Sequence, residues 1–431
     1  MSRASEFLQM LSTRTLSWAV NSICHSLLVP LFLCIPMVNK TAAQDLSGSW
    51  SAELESSGGP VTFGLVLEQN ADGLQAFVTN GPETIKIPQV NWDGTNLRLG
   101  FDYFRSEIEA TISGESGELQ GLWTRRKGDR EVAKLRFKAK RNDRKSAYPE
   151  ACEPWLGKYL VHFSNSSDPA IGVFRRDESS PTEPEGVVGT FLTTTGDMRY
   201  LAGGVTGDEL RLACFDGTHV YLFRCRRDTA GKLAGDFWSG ASSHQTWTGI
   251  RDDKVELPDG FALTKAQGDV DWGALKFPDL NGQLRSLDDP DFRGQAKLVY
   301  LFGSWCPNCH DAARFFGELQ REYGERGLQV VGLAFEATGD FAVDSEQVQI
   351  YQKRHQADYP LLVAGIADKE IASRSLPFLD RVRSFPTAIL VDRKGVVRNV
   401  YTGFNGPATE AAYREQAEQF RSRIEQLLSE K

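Results

Sequence analysis

The stretch LVYLFGSWCPNCHD (298–311) decides how the C-terminal part of this chain is read. An apolar run ends at Phe302, and two cysteines three positions apart, Cys306 and Cys309, follow almost at once. From Pro307 onward Ala312, Phe315, Phe316, Leu319 and Tyr323 recur at helical spacing. The pair therefore occupies a strand-to-helix junction, with Cys306 at the helix start and Cys309 one turn in. Unpaired amide groups and the positive end of the helix dipole favour a thiolate at such a terminus. This predicts an exposed Cys306 that attacks a partner disulfide, and a Cys309 that resolves the mixed disulfide. Pro307 suits the first turn, where its missing N–H is no loss.

Working outward, strands and helices alternate. GLQVVGLAF (327–335) reads as a second buried strand, and DSEQVQIYQKRHQ (344–356) as an amphipathic helix capped by Asp344 and Ser345. TAILVD (387–392) and VVRNVYTGF (396–404) flank the hairpin turn Arg393-Lys394-Gly395. A last helix repeats at Tyr413, Ala417, Phe420, Ile424 and Leu427. The expected order is βαβα followed by ββα.

Together with FPDLNGQ (277–283) and VRSFPTAILVDRKGVV (382–397), these motifs resemble thioredoxin-fold proteins, and among them the TlpA/ResA-like exported thiol–disulfide oxidoreductases. The resemblance covers about Phe277 to the C-terminus and implies an α/β thioredoxin fold. It implies a redox centre of Cys306 and Cys309 shielded by Trp305, and a cis Pro386 whose neighbour Phe385 pairs with a bound peptide. No cofactor beyond the redox-active disulfide is implied, and no metal. The implied role is that of a reductase exchanging disulfides with protein thiols outside the cytoplasm, fed by an upstream electron donor or acceptor. Cytochrome c maturation is one use of such proteins. Two positions depart from the pattern: Tyr300 stands where thioredoxin keeps a buried acid, and Ala312 where some relatives keep Glu. Glu336, ending the central strand, then stands as the proton acceptor for Cys309, against the plainer reading of a solvated strand end. His310 and Asp311 read as helix-surface residues.

Residues 45 to about 250 have another texture. Short alternating runs such as VTFGLVLE, LRLGF and VYLFRC are separated by SSGG, NADG and DGT turns, the pattern of an all-β region. Three landmarks recur in order. LSGSWSAEL (46–54) matches WLGKYLVHF (155–163), TNLRLGF (95–101) matches DELRLACF (208–215), and GELQGLW (117–123) matches GKLAGDFW (231–238). A duplicated β-meander is the expected cause, closing as a barrel or as packed sheets. Its G-x-W openings broadly resemble lipocalin-type strands. Six tryptophans here, Trp50, Trp92, Trp123, Trp155, Trp238 and Trp247, read as core. Cys214 and Cys225 flank a turn out of register with each other and read as buried thiols. The fold class is thus multidomain. The expected segments are a signal peptide at 1–43, β repeats at 44–142 and 143–252, a linker at 253–276 and the thioredoxin-like domain at 277–431.

The N-terminus carries Arg3, Arg14 and the short apolar run LLVPLFLCIPMV (27–38), then Thr41-Ala42-Ala43 for cleavage before Gln44. Pro30 and Pro36 interrupt the run, so it suits an export signal better than a membrane anchor. The expected location is therefore periplasmic, or membrane-anchored if the signal is kept. A formal charge of −8 argues against nucleic acid as a partner. Zinc needs two more ligands at a suitable spacing, which the flanks of the cysteine pair do not supply. Two rival functions stand beside the oxidoreductase. In one, the β region binds a ligand or partner and the redox domain is accessory. In the other, the domain is a peroxiredoxin-like peroxidase, which would want Pro and Thr where LFGSWC offers neither.

Overall fold

The computed structural model describes residues 45–430, apart from 114–115, 129, 143–147, 149 and 180–184. The expected signal segment, with Cys24 and Cys34, lies outside the described residues.

The β region is two barrels of one strand plan, the second closed and the first half-open. Nine antiparallel strands run from Gly48 to Arg141, each paired with a neighbour in sequence. Along Gly48–Ser56 the buried residues are Trp50, Ala52 and Leu54, the period of a strand with one face inward. That strand also pairs with Arg130–Arg141, through Trp50↔Arg141 and Leu54↔Phe137, which curls the meander. No ladder joins Gly73–Asn80 to Gln89–Trp92, so this side stays open.

The second set repeats the plan from Gly157 to Arg251. Here Val187–Thr193 pairs with both Ala170–Arg176 and Leu201–Thr206, and a ring of eight strands closes. Landmark glycines keep their roles in both copies. Gly48 and Gly157 share the same left-handed backbone, φ 129° and 128°. A Cβ at Gly121 or Gly235 would run into a neighbouring strand's carbonyl, Glu109 or Arg224. Trp50, Trp123, Trp155 and Trp247 are buried, as their reading as core requires. Cys214 faces Tyr221 and Cys225 faces Leu210, so the two thiols stay apart, both buried and free.

The barrels share a core. Phe215 of the second lies 4.6 Å from Phe63 and 5.6 Å from Phe101 of the first, ring centre to ring centre. The Asn80 side chain both donates to and accepts from the Phe215 backbone, at 3.0 and 3.1 Å, acting as one rung of a ladder between the barrels.

The C-terminal domain has a five-stranded sheet in the order Leu361–Ile366, Leu328–Glu336, Ala296–Phe302, Thr387–Val391, Val397–Thr402. The first three strands are parallel and the last two antiparallel. Pro307–Tyr323, Phe341–His355 and Ala411–Ser429 pack on one face, and Lys369–Ser375 on the other. This is the expected thioredoxin-like α/β domain with one strand and one helix more than the βαβα–ββα order, because YPLLVAGI supplies the sheet edge at Leu361–Ile366.

Two local expectations are corrected. The helix expected from Asp344 begins at Phe341, capped by Asp340, whose carboxylate accepts from the amides of Ala342 and Val343. Asp344 instead holds the preceding turn, accepting from Thr338 and Gly339. The segment expected as a linker lies down on the domain: the Phe261 ring sits 4.6 Å from Tyr401, and the Trp272 indole donates to Gly395 O at 2.7 Å. Among the described residues no helix is long and apolar enough to cross a membrane.

Candidate functional site

Cys306 caps the helix Pro307–Tyr323, and its Sγ accepts a hydrogen bond from the Cys309 amide at 3.3 Å. That bond stabilises the sulfur when it is ionised. The Phe385–Pro386 peptide bond is cis, and Phe385 O lies 3.5 Å from the Cys306 sulfur. Trp305 donates its indole N–H to Phe335 O at 2.9 Å and stands edge-on to Phe385, 5.9 Å away. So Trp305, Cys306, Cys309, Phe385 and Pro386 come together at one end of the sheet. Cys309 is fully buried, and burial first, then its neighbour Cys306, pushes its thiol well up.

Glu336 is not a solvated strand end. It is 1% exposed, and its two carboxylate oxygens accept from the Ser304 amide and hydroxyl, each at 2.7 Å. Burial pushes it up to about 7, against the pull of those hydrogen bonds. The Ser304 carbonyl accepts from His310 Nε2 at 2.8 Å, so Nδ1 is left to accept from His355 Nε2 at 2.6 Å. Burial holds both imidazoles neutral, that of His355 at about 3. Tyr351 donates to Cys309 O at 2.8 Å and ties down the same turn.

His310 and Asp311, expected on the helix surface, are buried. Cys306, expected exposed, keeps only 6% of its surface. The physical reason is that both barrels dock on this end of the domain. Tyr103 and Phe104 of the first barrel lie 5.3 and 5.1 Å from the His310 ring. The Arg354 guanidinium stacks 3.7 Å over Tyr103. From the second barrel, Arg199 reaches Asp311 on the Pro307–Tyr323 helix, Glu83 at 2.8 Å and Asp216 at 3.3 Å, with its side chain 7% exposed. Asp197 accepts from the Gly406 amide at 2.6 Å, and Asn308, inside the cysteine motif, donates to Asp197 O at 3.1 Å.

One cation thus serves several carboxylates. Burial pushes Glu83 up to about 7, while Asp216, despite its burial, is held well below the carboxylate range by His219 and Arg199. Sequence reasoning missed Arg199, Asp197 and Tyr103, because they have partners on other domains, and Asp216, because it acts through Arg199. The duplication was the one available signal, since Tyr103 and Asp216 both follow the TNLRLGF/DELRLACF landmark.

Among the described residues, Cys152, Glu153 and Glu185 of the second barrel come close together. Arg176 already pairs with both of those carboxylates.

Comparison with known proteins places this geometry. The Redoxin family matches residues 263–416. The chain is similar to the thioredoxin-like protein YneN of Bacillus subtilis (strain 168), 27% identical over 124 residues, which are 29% of this chain and 65% of that one. It thus spans just under two thirds of that relative's length. It is also similar to the thiol-disulfide oxidoreductase ResA of Bacillus cereus (strain ZK / E33L), 24% identical over 143 residues, 33% of this chain and 74% of that one. Among solved structures, a thiol:disulfide interchange protein of the thioredoxin family from Chlorobium tepidum TLS aligns over 38% of this chain and 98% of its own, at 19% identity and a TM-score of 0.28. Residues 263–416, which match the Redoxin family, thus lie in a domain of thioredoxin-like fold carried behind two β-barrels in one chain.

Proposed function

We propose that this chain is a thiol–disulfide oxidoreductase working as a reductase through Cys306-Pro-Asn-Cys309. The observation that carries the reading is the placement of the Cys306 sulfur, 3.3 Å from the Cys309 amide and 3.5 Å from Phe385 O on the cis-proline loop. The thiolate of Cys306 attacks one sulfur of a substrate disulfide, forms a mixed disulfide and expels the other half as a thiolate. Cys309, deprotonated, then attacks the Cys306 sulfur and releases the second half, closing the Cys306–Cys309 disulfide. Two electrons leave the dithiol, and its two protons end on the two product thiols. Glu336 is the acceptor we assign for the Cys309 proton, since a carboxyl near 7 takes and returns a proton at neutral pH. Phe385 and Pro386 hold the substrate backbone, and Trp305 walls the pair. An upstream dithiol donor must restore the reduced form.

The export-like N-terminus supports a site of action outside the cytoplasm, on exported protein thiols. Cys306→Ser is expected to abolish reduction of a disulfide substrate, and Cys309→Ser to trap the mixed disulfide, both read by insulin turnover and mass spectrometry. A wild type that reduces no disulfide, with both thiols inert to alkylation, overturns the proposal.

A further inference from the structure

Beside Trp305 a cleft of 540 Å³ opens where all three folded parts of the chain meet. The redox domain lends Ser304, Trp305 and Glu336, the first barrel lends Tyr103, Arg125 and Arg126, and the Ser239–Ser243 turn of the second barrel closes one side. Arg105 and Lys127 add two more cations to the lining, and Val132 and Ala133 give it an apolar edge.

Its charges are unevenly spent. Of the carboxylates in the lining, Glu336 is taken by Ser304, and Asp344 by Thr338 and Gly339. Arg105 donates to Gln347 at 2.9 Å. Among the described residues no carboxylate comes within ion-pairing distance of Arg125, Arg126 or Lys127. Arg125 is also half-buried, so its guanidinium loses water while the Asp216 carboxylate acts on it only from beyond ion-pairing distance. The Tyr103 hydroxyl is buried with no hydrogen-bond partner among the described residues. Buried polar groups are nearly always satisfied, and a carboxylate-bearing ligand supplies what both lack.

We propose that this cleft binds the carboxylate end of a substrate disulfide, on Arg125 and Arg126, and holds it beside the redox pair. The inference rests on the oxidoreductase reading and names its substrate class: anionic disulfides, either a small acidic disulfide or an acidic peptide segment of a protein. It also gives the β region a task, since the cationic wall belongs entirely to the first barrel.

The test uses the whole chain and the pair R125Q/R126Q. Two measurements separate this inference from the reading beneath it. In the first, calorimetry is run with S-methylglutathione, which cannot exchange, and with a short Glu-rich peptide amide. Each lost charge-assisted bond weakens binding about tenfold or more, so the pair is expected to abolish measurable binding of at least one probe. Preference for the first probe assigns a small disulfide, and preference for the second a peptide segment. In the second, the ratio of kcat/KM for glutathione disulfide to that for neutral hydroxyethyl disulfide is expected to fall about tenfold in the pair. Arg136→Gln, on the first barrel's outer face at 77% exposure, is expected to leave that ratio alone. If no disulfide is turned over but S-methylglutathione binds in an arginine-dependent way, the cleft stands and the oxidoreductase reading falls. If disulfides are turned over without regard to charge and neither probe binds, the cleft proposal falls alone.

Discussion

The two barrels share a strand plan but hold the Pro307–Tyr323 helix in different ways. In the first, the turn after Asn96–Phe101 carries Tyr103 and Phe104, which lay rings on His310. At the duplicated point of the second, after Glu209–Phe215, the turn carries Asp216 and His219, which hold Arg199 against Asp311. The rings closing the two strands, Phe101 and Phe215, meet edge to face. One scaffold position has therefore become an apolar grip in one copy and an ionic grip in the other. Apolar contact is non-directional and indifferent to pH. A buried ion cluster is directional and changes with every proton it takes.

Breaking the ionic grip should have the largest effect. Arg199→Ala leaves Glu83 buried without its cation, and Asp216 and Asp311 with only His219 and Arg314, which is expected to cost about 3–5 kcal/mol in urea unfolding. It should also speed alkylation of Cys306 in the folded protein, because the second barrel then covers the thiol less firmly. An unchanged urea midpoint together with an unchanged alkylation rate would show that the cluster carries no part of the docking.

Breaking the apolar grip should matter somewhat less. Phe104→Ala removes a ring that is 8% exposed and is expected to lose about 3 kcal/mol, at the low end for buried aromatics. The loss should be the same at pH 7 and pH 8, where His310 is neutral folded or unfolded, whereas the Arg199→Ala loss should vary with pH. Equal pH profiles for the two variants would erase the distinction between the barrels.

The smallest effect sharpens the comparison by proton linkage. Glu83 is raised to about 7 from an ordinary 4.5, chiefly by burial, so the folded state binds its proton more readily than the unfolded chain. Stability from this group is full below about 4.5 and is lost as pH rises through about 7, by up to about 1.4 kcal/mol per pH unit. Glu336 adds a slope of the same sign. Glu83→Gln should remove its own falling slope from the urea midpoints between pH 5 and 8, leaving that of Glu336 and, below about 6.5, the opposite slope of the neutral His310 and His355. Superimposable profiles for variant and wild type would mean that Glu83 does not titrate in that window.

The dithiol site was legible because its signals are local. A strand end, two cysteines one helical turn apart and a Phe-Pro before TAILVD each state their own backbone context. Its burial was not legible. His310 and Asp311 have the composition of a surface turn, and apart from Arg314 pairing with Asp311 the groups that bury them lie outside their own helix. Glu336 reads as a strand-end carboxylate until Ser304 is folded over it. The duplication was visible in spaced Gly and Trp landmarks. The gap between Gly73–Asn80 and Gln89–Trp92 was not, because the pairing that closes the second barrel there carries no distinctive residue.

Periodicity and motif spacing alone determined a dithiol at a strand-to-helix junction and a twice-used β-meander ahead of it, since both depend on neighbours in the chain. Tertiary structure alone decided that the meanders wall in the dithiol. Arg199 meets Asp311 across 112 residues and Arg105 meets Gln347 across 242, and over such separations no sequence period survives to announce a contact. Burial and charge pairing, which set how Cys306 is reached, exist only once those distant surfaces have met.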